Sequence, residues 1–475
     1  MRCLSDDEAL TLFIDKVEVN IFGVPALKDI VKLVVEQCAR LPLAIVTVAC
    51  CMRREYDICE WRNALEELSK SIQSVKGMET NVLGQLQFSY DCLKSKNVQH
   101  CFFYCALYPK YFKIPKEELI VYWIAEGLVD ERASLQATYD GAYSILNRLV
   151  NNCLLETIDD GRCVKMHDLI REMALDITSM SPLFMVKAGE KLQEFPREQE
   201  WKENLEKASL MRNNILEIPP NMMQGLNILN LSYTIIEKLP DSISHLTNLT
   251  ALLLQYCEHI KHVPCLAKLS CLRNLDLEGT QITEVSEGME MLQKLRYLNL
   301  FSVYLEKLPA GMLSKLNCVQ KLRVYWGSKT SEEMVEEASK LSELDILEAC
   351  FRKIEDFKIY VKSLGSGVGR FVEFNVNFVA PPKDLQCLTL NYCNTVTSLS
   401  DVLSNEGDYS DLKAVHVRYC KNLKELLSAK LLRALPNLEV IEVSSCNEIE
   451  EIIRLDVGEE KSEEDGRSNT TLNSS

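Results

Sequence analysis

The sequence predicts a multidomain chain in which an all-α helical subdomain and a winged-helix-like subdomain precede an α/β leucine-rich-repeat solenoid. Three observations predict it. Apolar residues at helical spacing fill the first third, an Asp-Asp-Gly hairpin signal at 159–161 interrupts them, and a Leu-x-x-Leu-x-Leu unit then recurs every 23 residues. The length of 475 residues agrees, being about three times the ~150 residues of a single domain.

The helices come first. Ser5-Asp-Asp-Glu8 is a capping box, and Leu10, Phe13, Ile14 and Val17 behind it keep helical spacing. Pro25 starts a second run, from Ala26 to Cys38. Pro42 starts a third, where its fixed φ and missing N–H cost nothing in a first turn. Further helices are expected near 60–70, 80–92, 96–107, 115–127 and 134–152. Leu154–Ile158 and Arg162–Met166 then flank Asp159-Asp160-Gly161, where Gly supplies the positive φ of a tight turn, and a helix follows from about Asp168 to Ser179. Helices, wing and helix make a winged-helix-like module. Its wing carries two aspartates against Arg162 and Lys165, a poor match for DNA phosphates.

The repeats occupy the second half. Leu226-x-x-Leu229-x-Leu231 is followed by the same unit from Leu249, Leu272 and Leu295, then by Val319-x-x-Leu322-x-Val324. After an irregular insert at about 327–384 the pattern resumes from Leu385, Leu412 and Leu438, and Leu205-x-x-Ala208-x-Leu210 reads as a degenerate unit capping the array. Each short strand buries its leucines only by stacking on the next. Cys257, Cys393, Cys420 and Cys446 recur eight positions into their units, where a small apolar side chain closes a turn. The tail from Asp456 is acidic and has little to bury, so it is expected to be disordered.

Composition narrows the function classes. With 69 acidic and 53 basic side chains the net charge is −16, the wrong sign for nucleic acid. The longest apolar run, Leu41 to Met52, is too short to span a membrane. The amino terminus has no secretory pattern, and 19 scattered cysteines then indicate reduced thiols and a cytoplasmic setting.

Enzyme signatures are missing: no HExxH, GxSxG or CxxC occurs, so the chain is not expected to be an enzyme and no catalytic residue is nominated. Gly365-Ser-Gly-Val-Gly-Arg370 lacks the Lys-[Ser/Thr] of a phosphate loop and reads as an ordinary loop. Cys257, His259, His262 and Cys265 have zinc-binding side chains at a spacing that matches no finger, and no metal is expected. His167, in Met166-His167-Asp168, sits where wing meets helix. There an imidazole can donate to an anion while Asp168 caps the helix, or the histidine can be satisfied by backbone alone.

Several blocks carry a family resemblance. Cys38-Ala-Arg-Leu-Pro-Leu-Ala44 resembles a GLPLA motif, Leu86-Gln-Phe-Ser-Tyr-Asp-Cys-Leu93 an LKFSYDxL block, and Cys101-Phe-Phe-Tyr-Cys-Ala-Leu-Tyr-Pro109 with Tyr122-Trp-Ile-Ala-Glu-Gly127 a CFLYCALFP…YWIAEG block. Met166-His167-Asp168 is similar to an MHD motif. In this order they resemble the plant intracellular immune receptors of the nucleotide-binding (NB-ARC), leucine-rich-repeat type, most closely the coiled-coil class of disease resistance proteins, here with the amino-terminal part missing.

The resemblance implies domains at 1–78 (end of the nucleotide-binding module and helical subdomain), 79–190 (winged helix with the switch motif Met166, His167, Asp168), 191–455 (repeats) and 456–475 (acidic tail). It implies an ADP/ATP switch with Mg²⁺, in which Pro42 packs near the adenine and His167 reaches the β-phosphate of ADP. The repeats would restrain that switch through contact with the winged helix and sense a pathogen effector or a guarded host protein. Exchange for ATP would open a homo-oligomer that signals cell death, in the cytoplasm or at the inner face of the plasma membrane.

The family's phosphate loop, Mg²⁺ strand and sensor arginine have no counterpart in this sequence, so tight nucleotide binding by this chain alone is not expected. Arg40 stands where the motif has Gly, and either crowds the turn or supplies charge. The alternative readings are a complete nucleotide-dependent ATPase switch in a longer natural chain and a repeat-only interaction scaffold. A ubiquitin-ligase adaptor would need an F-box-like segment where the first 150 or so residues match the receptor blocks.

Seven positions into five of the eight units stand Tyr233, Tyr256, Trp326, Tyr392 and Tyr419. If residues between the strand leucines face solvent, these aromatics form a stripe suited to a protein partner or to the chain's own switch module. The other reading is amphipathic packing under the next turn.

Overall fold

The computed structural model describes residues 3–18, 25–74, 80–132, 135–180, 183–202, 204–220, 225–326, 337–338, 341–344, 346–351, 387–391, 397–401, 403, 412–418, 420–454 and 471–474. They divide into two compact units, Met1–Lys191 with Glu198–Asn213, and Leu192–Arg197 with Asn214–Ser475. Residues 198–213 fall in the first of these units.

In the first unit, α1 (Asp6–Val17) is opened by the expected box: Ser5 Oγ accepts from the Glu8 N–H at 3.3 Å and Glu8 Oε2 accepts from the Ser5 N–H at 2.8 Å. It packs with α2 (Pro25–Gln37), α3 (Pro42–Cys51) and α4 (Ile58–Ser74) around Phe13, Val31, Val48 and Trp61. The apolar run from Leu41 is α3, the inner helix of this bundle. A helix that is hydrophobic all round belongs inside. Among the described residues no helix is long and apolar enough to cross a membrane.

Next come α5 (Thr80–Asp91), α6 (Lys96–Cys105), α7 (Lys116–Ala125) and α8 (Leu135–Asn151). The strand β1 (Ile114–Pro115), unforeseen in the sequence, pairs antiparallel with β3 (Cys163–Lys165), which also pairs with β2 (Glu156–Ile158), so the wing has three strands. Asp159, Asp160 and Gly161 all take positive φ in its turn. The helix α9 (Asp168–Thr178) follows, and α5 packs against both α3 and α9. The unit closes with a parallel pair, β4 (Phe184–Val186) and β5 (Lys207–Ser209), in which Met185 lies opposite Ala208. The degenerate unit at Leu205 supplies β5, which in the strand order stands next to the first repeat strand, as a capping unit would.

The second unit is a ladder of parallel strands: β6 (Ile228–Asn230), β7 (Ala251–Leu253), β8 (Asn274–Asp276), β9 (Tyr297–Leu300), β10 (Lys321–Trp326) and β11 (Ile346–Phe351). Leu229, Leu252, Leu275, Leu298 and Leu322 stand in one register and are fully buried, so the 23-residue period is the rise from one turn of the coil to the next. Short 3-10 turns at Asp241–His245, Met289–Met291 and Leu313–Lys315 make the return path.

Two expectations fail here. The insert at 327–384 contains β11, which continues the ladder with Leu347 opposite Leu322. The tail is not wholly disordered: after β12 (Cys387–Asn391), β13 (Ala414–Arg418), β14 (Glu425–Ser428), β15 (Val440–Ser444) and β16 (Glu451–Arg454), β17 (Thr471–Ser474) pairs in parallel with β15.

Candidate functional site

The Met166-His167-Asp168 corner is built by two elements meeting. β3 ends at Lys165, the Met166 side chain is buried as an anchor, and α9 begins at Asp168. His167, with φ −66° and ψ 143°, is the N-cap: its Nδ1 accepts from the Leu169 N–H at 3.2 Å. The cap is the histidine, not Asp168 as expected. Asp168 is already inside the helix, where its carboxylate lies too far along the chain to reach the first free N–H groups.

This bond has a chemical consequence. A ring nitrogen that accepts carries no proton, so in the neutral imidazole the proton sits on Nε2. His167 is exposed, which leaves Nε2–H as a donor at a helix N-terminus, a place that favours anions.

Beneath it lies a polar layer that the sequence did not single out. Arg171, one turn on and buried, donates from Nε to the Tyr108 carbonyl at 2.8 Å; burial pulls its guanidinium pKa down. Arg171 Nη2 and Asp168 Oδ1 are both buried without a hydrogen-bond partner. The other side of Asp168 hydrogen-bonds the exposed Tyr111 hydroxyl and pushes that phenol's pKa up.

Pro42 sits half-buried at the first position of α3, after an N-cap, Leu41, that makes no side-chain bond. Pro42 and His167 therefore stand at the starts of two helices that share α5 as a neighbour. Arg40 resolves its alternatives towards strain: Ala39 and Arg40 turn the chain with φ of 51° and 61°, which is where glycine is at ease. The Arg40 side chain projects to solvent with Asp6 3.9 Å away, and its carbonyl accepts from the Leu4 N–H.

On the repeats the expectation of solvent-facing strand residues is overturned. Asn230, Leu253, Asp276 and Asn299, between the ladder leucines, are buried. Asn230, Asp276 and Asn299 each accept the backbone N–H two residues on, from Ser232, Glu278 and Phe301, so these side chains fold down onto their own turns.

The accessible positions lie in the turn that follows. Tyr233 and Tyr256 adopt φ of 60° and 52° and stack with centroids 5.0 Å apart; Tyr256 is 39% exposed. At the next unit the same place is Gly279, φ 67°, and a Cβ there would stand 2.7 Å from Tyr256 Cδ1. The missing side chain is what lets the Tyr256 ring lie down and its hydroxyl donate to Glu278 Oε1 at 3.0 Å. Burial and that carboxylate push the phenol's pKa up. Glu278 also accepts from Asn299 and from Arg323. Tyr256, Glu278, Gly279, Phe301, Val303 and Tyr304 line a pocket of about 370 Å³, with Val303 and Tyr304 exposed at its rim.

Tyr392 and Tyr419 and the loop at Gly365–Arg370 lie outside the described residues, as does the side chain of Trp326. Cys257 is buried, its Sγ bonded to the Leu231 carbonyl at 3.1 Å, while Cys265 is exposed; among the described residues no three ligating side chains gather as a metal site would need.

Residues 107–174 match the family described as disease resistance protein winged helix domain, and residues 382–474 the family described as plant disease resistance protein RPS2-like, leucine-rich repeats. Relatives in Arabidopsis thaliana include the probable disease resistance protein At5g47250, 31% identical over 95% of this chain and 56% of the relative, and the disease resistance protein RPS5, 29% identical over 98% and 54%. The disease resistance protein At4g27190 is 32% identical over 73% of this chain and 39% of its own length. The chain spans about half the length of these relatives, or less. Among solved structures, a leucine-rich-repeat protein of Leptospira interrogans aligns over 56% of this chain and 71% of its own with TM-score 0.35 and 17% identity, too loose a likeness to carry an argument.

Proposed function

The chain belongs to the plant disease resistance proteins, and we infer from that membership that it is the switch-and-sensing part of an immune receptor. In this reading the first unit holds the resting state through His167, and the repeats recognise a protein, either a pathogen effector or a guarded host component. The observation that carries it is the Leu169 N–H bond to His167 Nδ1, because it fixes the exposed nitrogen as a donor.

The residues present fit a phosphate ligand at that corner. His167 Nε2–H would meet a phosphate oxygen, the start of α9 would add its amide dipoles, and the half-buried Pro42 would lie against a base. ADP, when bound, supplies the anion, and exchange for ATP with Mg²⁺ changes its charge. Asp168 and Arg171 hold the corner from below, each with a buried polar atom to spare.

The 475 residues contain no GxxxxGK[ST] sequence, and two peripheral contacts are a poor substitute for a phosphate cradle. We therefore assign this chain no catalysis and only weak affinity for ADP alone. The turn carrying Tyr233 and Tyr256, with the pocket beside it, is the partner-facing surface in this reading; aromatic rims of this kind anchor protein interfaces. Restraint of the winged helix by the repeats, oligomer formation and a cytoplasmic setting belong to the same proposal.

Calorimetric titration of ADP into the full chain tests it. No micromolar binding is expected, while millimolar ADP should move the His167 ring resonances. Micromolar affinity, or an unmoved His167 at saturating ADP, contradicts the reading.

A further inference from the structure

Four cysteines crowd one end of α3. Cys50 and Cys51 close that helix, Cys92 follows α5, and Cys153 follows α8. Cys50 and Cys153, 103 residues apart in sequence, have their Sγ atoms 2.8 Å apart. A disulfide needs that gap to close to about 2.0 Å, a side-chain adjustment rather than a refolding.

The surroundings of the pair distinguish it from its neighbours. Arg53 donates from Nη2 to Cys50 Sγ at 3.5 Å, and Arg53 and Lys16 place positive charge beside both sulfurs. Cys153 is the nucleophilic partner because it is the more accessible of the two sulfurs; its hydrogen bond with Cys50, then Arg53 and Lys16, lower its thiol pKa. Cys153 is half-buried, so a small oxidant can reach it, and Cys50 behind it is 6% exposed. Cys51 hydrogen-bonds Cys92 nearby, but its pKa is raised by that bond and by burial, which keeps it a thiol.

We propose that Cys50 and Cys153 form a reversible oxidation site at which a hydroperoxide installs a disulfide tying α3 to the end of α8. The Cys153 thiolate attacks one peroxide oxygen; an S–O bond forms, the O–O bond breaks, and the departing hydroxide, or alkoxide from an organic hydroperoxide, takes a proton to leave as water or the alcohol. Cys50 sulfur then attacks the sulfenic sulfur of Cys153, the S–O bond breaks, and hydroxide leaves with the Cys50 proton as water. Two thiols are oxidised and one hydroperoxide is reduced. A thiol reductant reverses the step. The bond would clamp the helical bundle to the winged-helix subdomain, closing a long loop of the unfolded chain.

The test treats the full chain with equimolar hydrogen peroxide and maps its peptides by mass spectrometry without reduction, with the exposed Cys59 as internal reference. The expected product is a Cys50–Cys153 cross-linked peptide, about 2 Da lighter than the two thiol peptides together and lost on adding dithiothreitol. In Cys50→Ser, Cys153 should instead persist as a sulfenic acid that dimedone captures. The wild-type map stands even if that variant fails to fold. Oxidation of Cys153 no faster than Cys59, over-oxidation without a cross-link, or a cross-link to Cys51 or Cys92 in its place would overturn the proposal.

Discussion

The His167 corner and the repeat ladder solve opposite problems. At the corner every group is used once: Met166 anchors, His167 caps, and Asp168 and Arg171 lie beneath, and among the described residues no other helix start is capped by a histidine. In the ladder one arrangement recurs, with Leu229, Leu252, Leu275, Leu298 and Leu322 in register and a folded-back turn after each of three strands. A chemical task located at one atom needs an aperiodic neighbourhood. A surface that reads a protein can be assembled from units that differ only in their turn residues.

The contrast is open to breakage by substitution, beginning with the largest effect. Trp61→Ala removes a fully buried indole from the bundle and should cost about 3–5 kcal/mol, unfolding the helices of the first unit together in urea. If only α4 frayed, the cooperative picture of that unit would be wrong. Leu275→Ala should cost about 3 kcal/mol, but hydrogen exchange should quicken mainly in β7, β8 and β9 and leave β13 and β15 at their former rates. Quickening along the whole array would contradict a nearest-neighbour ladder.

Smaller effects sharpen the comparison. His167→Ala should cost about 1 kcal/mol by removing the cap of α9, whereas His167→Asn should restore that stability without restoring a ring nitrogen for an anion. Thermal melts of the two variants, set beside their response to millimolar ADP, separate capping from binding. Arg40→Gly should raise stability by about 1 kcal/mol, since glycine accepts φ of 61° without penalty; an unchanged denaturation midpoint would show the turn to be unstrained.

The smallest effect concerns pH. Hydrogen bonds from His416 and then Arg418 lower the Glu442 pKa. The folded chain thus holds the carboxylate more readily than the unfolded chain does. Its stabilising contribution is present above the ordinary carboxylate range and fades as pH falls through the lowered value. Exchange in β13 and β15 should rise at that acid end in the wild type and be less pH-sensitive in Glu442→Gln.

Much of this was legible in the sequence where a pattern maps onto geometry without help from tertiary structure. The Ser5–Glu8 box, Pro42 at a helix start, the hairpin at Asp159–Gly161 and the 23-residue leucine period all found their places. What escaped depended on partners distant in sequence. The two-residue β1 exists only because β3 is there to pair with it. β11 hid because Ala349 replaces the last leucine of Leu344-x-x-Leu347, although the spacing from Leu322 was there to read.

At the candidate site, Met166, His167 and Asp168 were visible as a motif but the division of labour between them was not, since choosing His167 over Asp168 as cap needs backbone angles. Of the aromatic positions, Tyr233 and Tyr256 adjoin in left-handed turns, which the spacing alone does not reveal, and Gly279 is where the next ring is omitted to make room.

The most direct test of the account is the tautomer of His167, read from ring nitrogen shifts in the full chain labelled with 15N-histidine, the resonance being assigned by its loss in His167→Asn. A neutral ring with the proton on Nε2 and a bare Nδ1 is the predicted result. A proton on Nδ1 would mean that His167 does not cap α9 and has no donor free at that helix end, which contradicts the switch reading at its source.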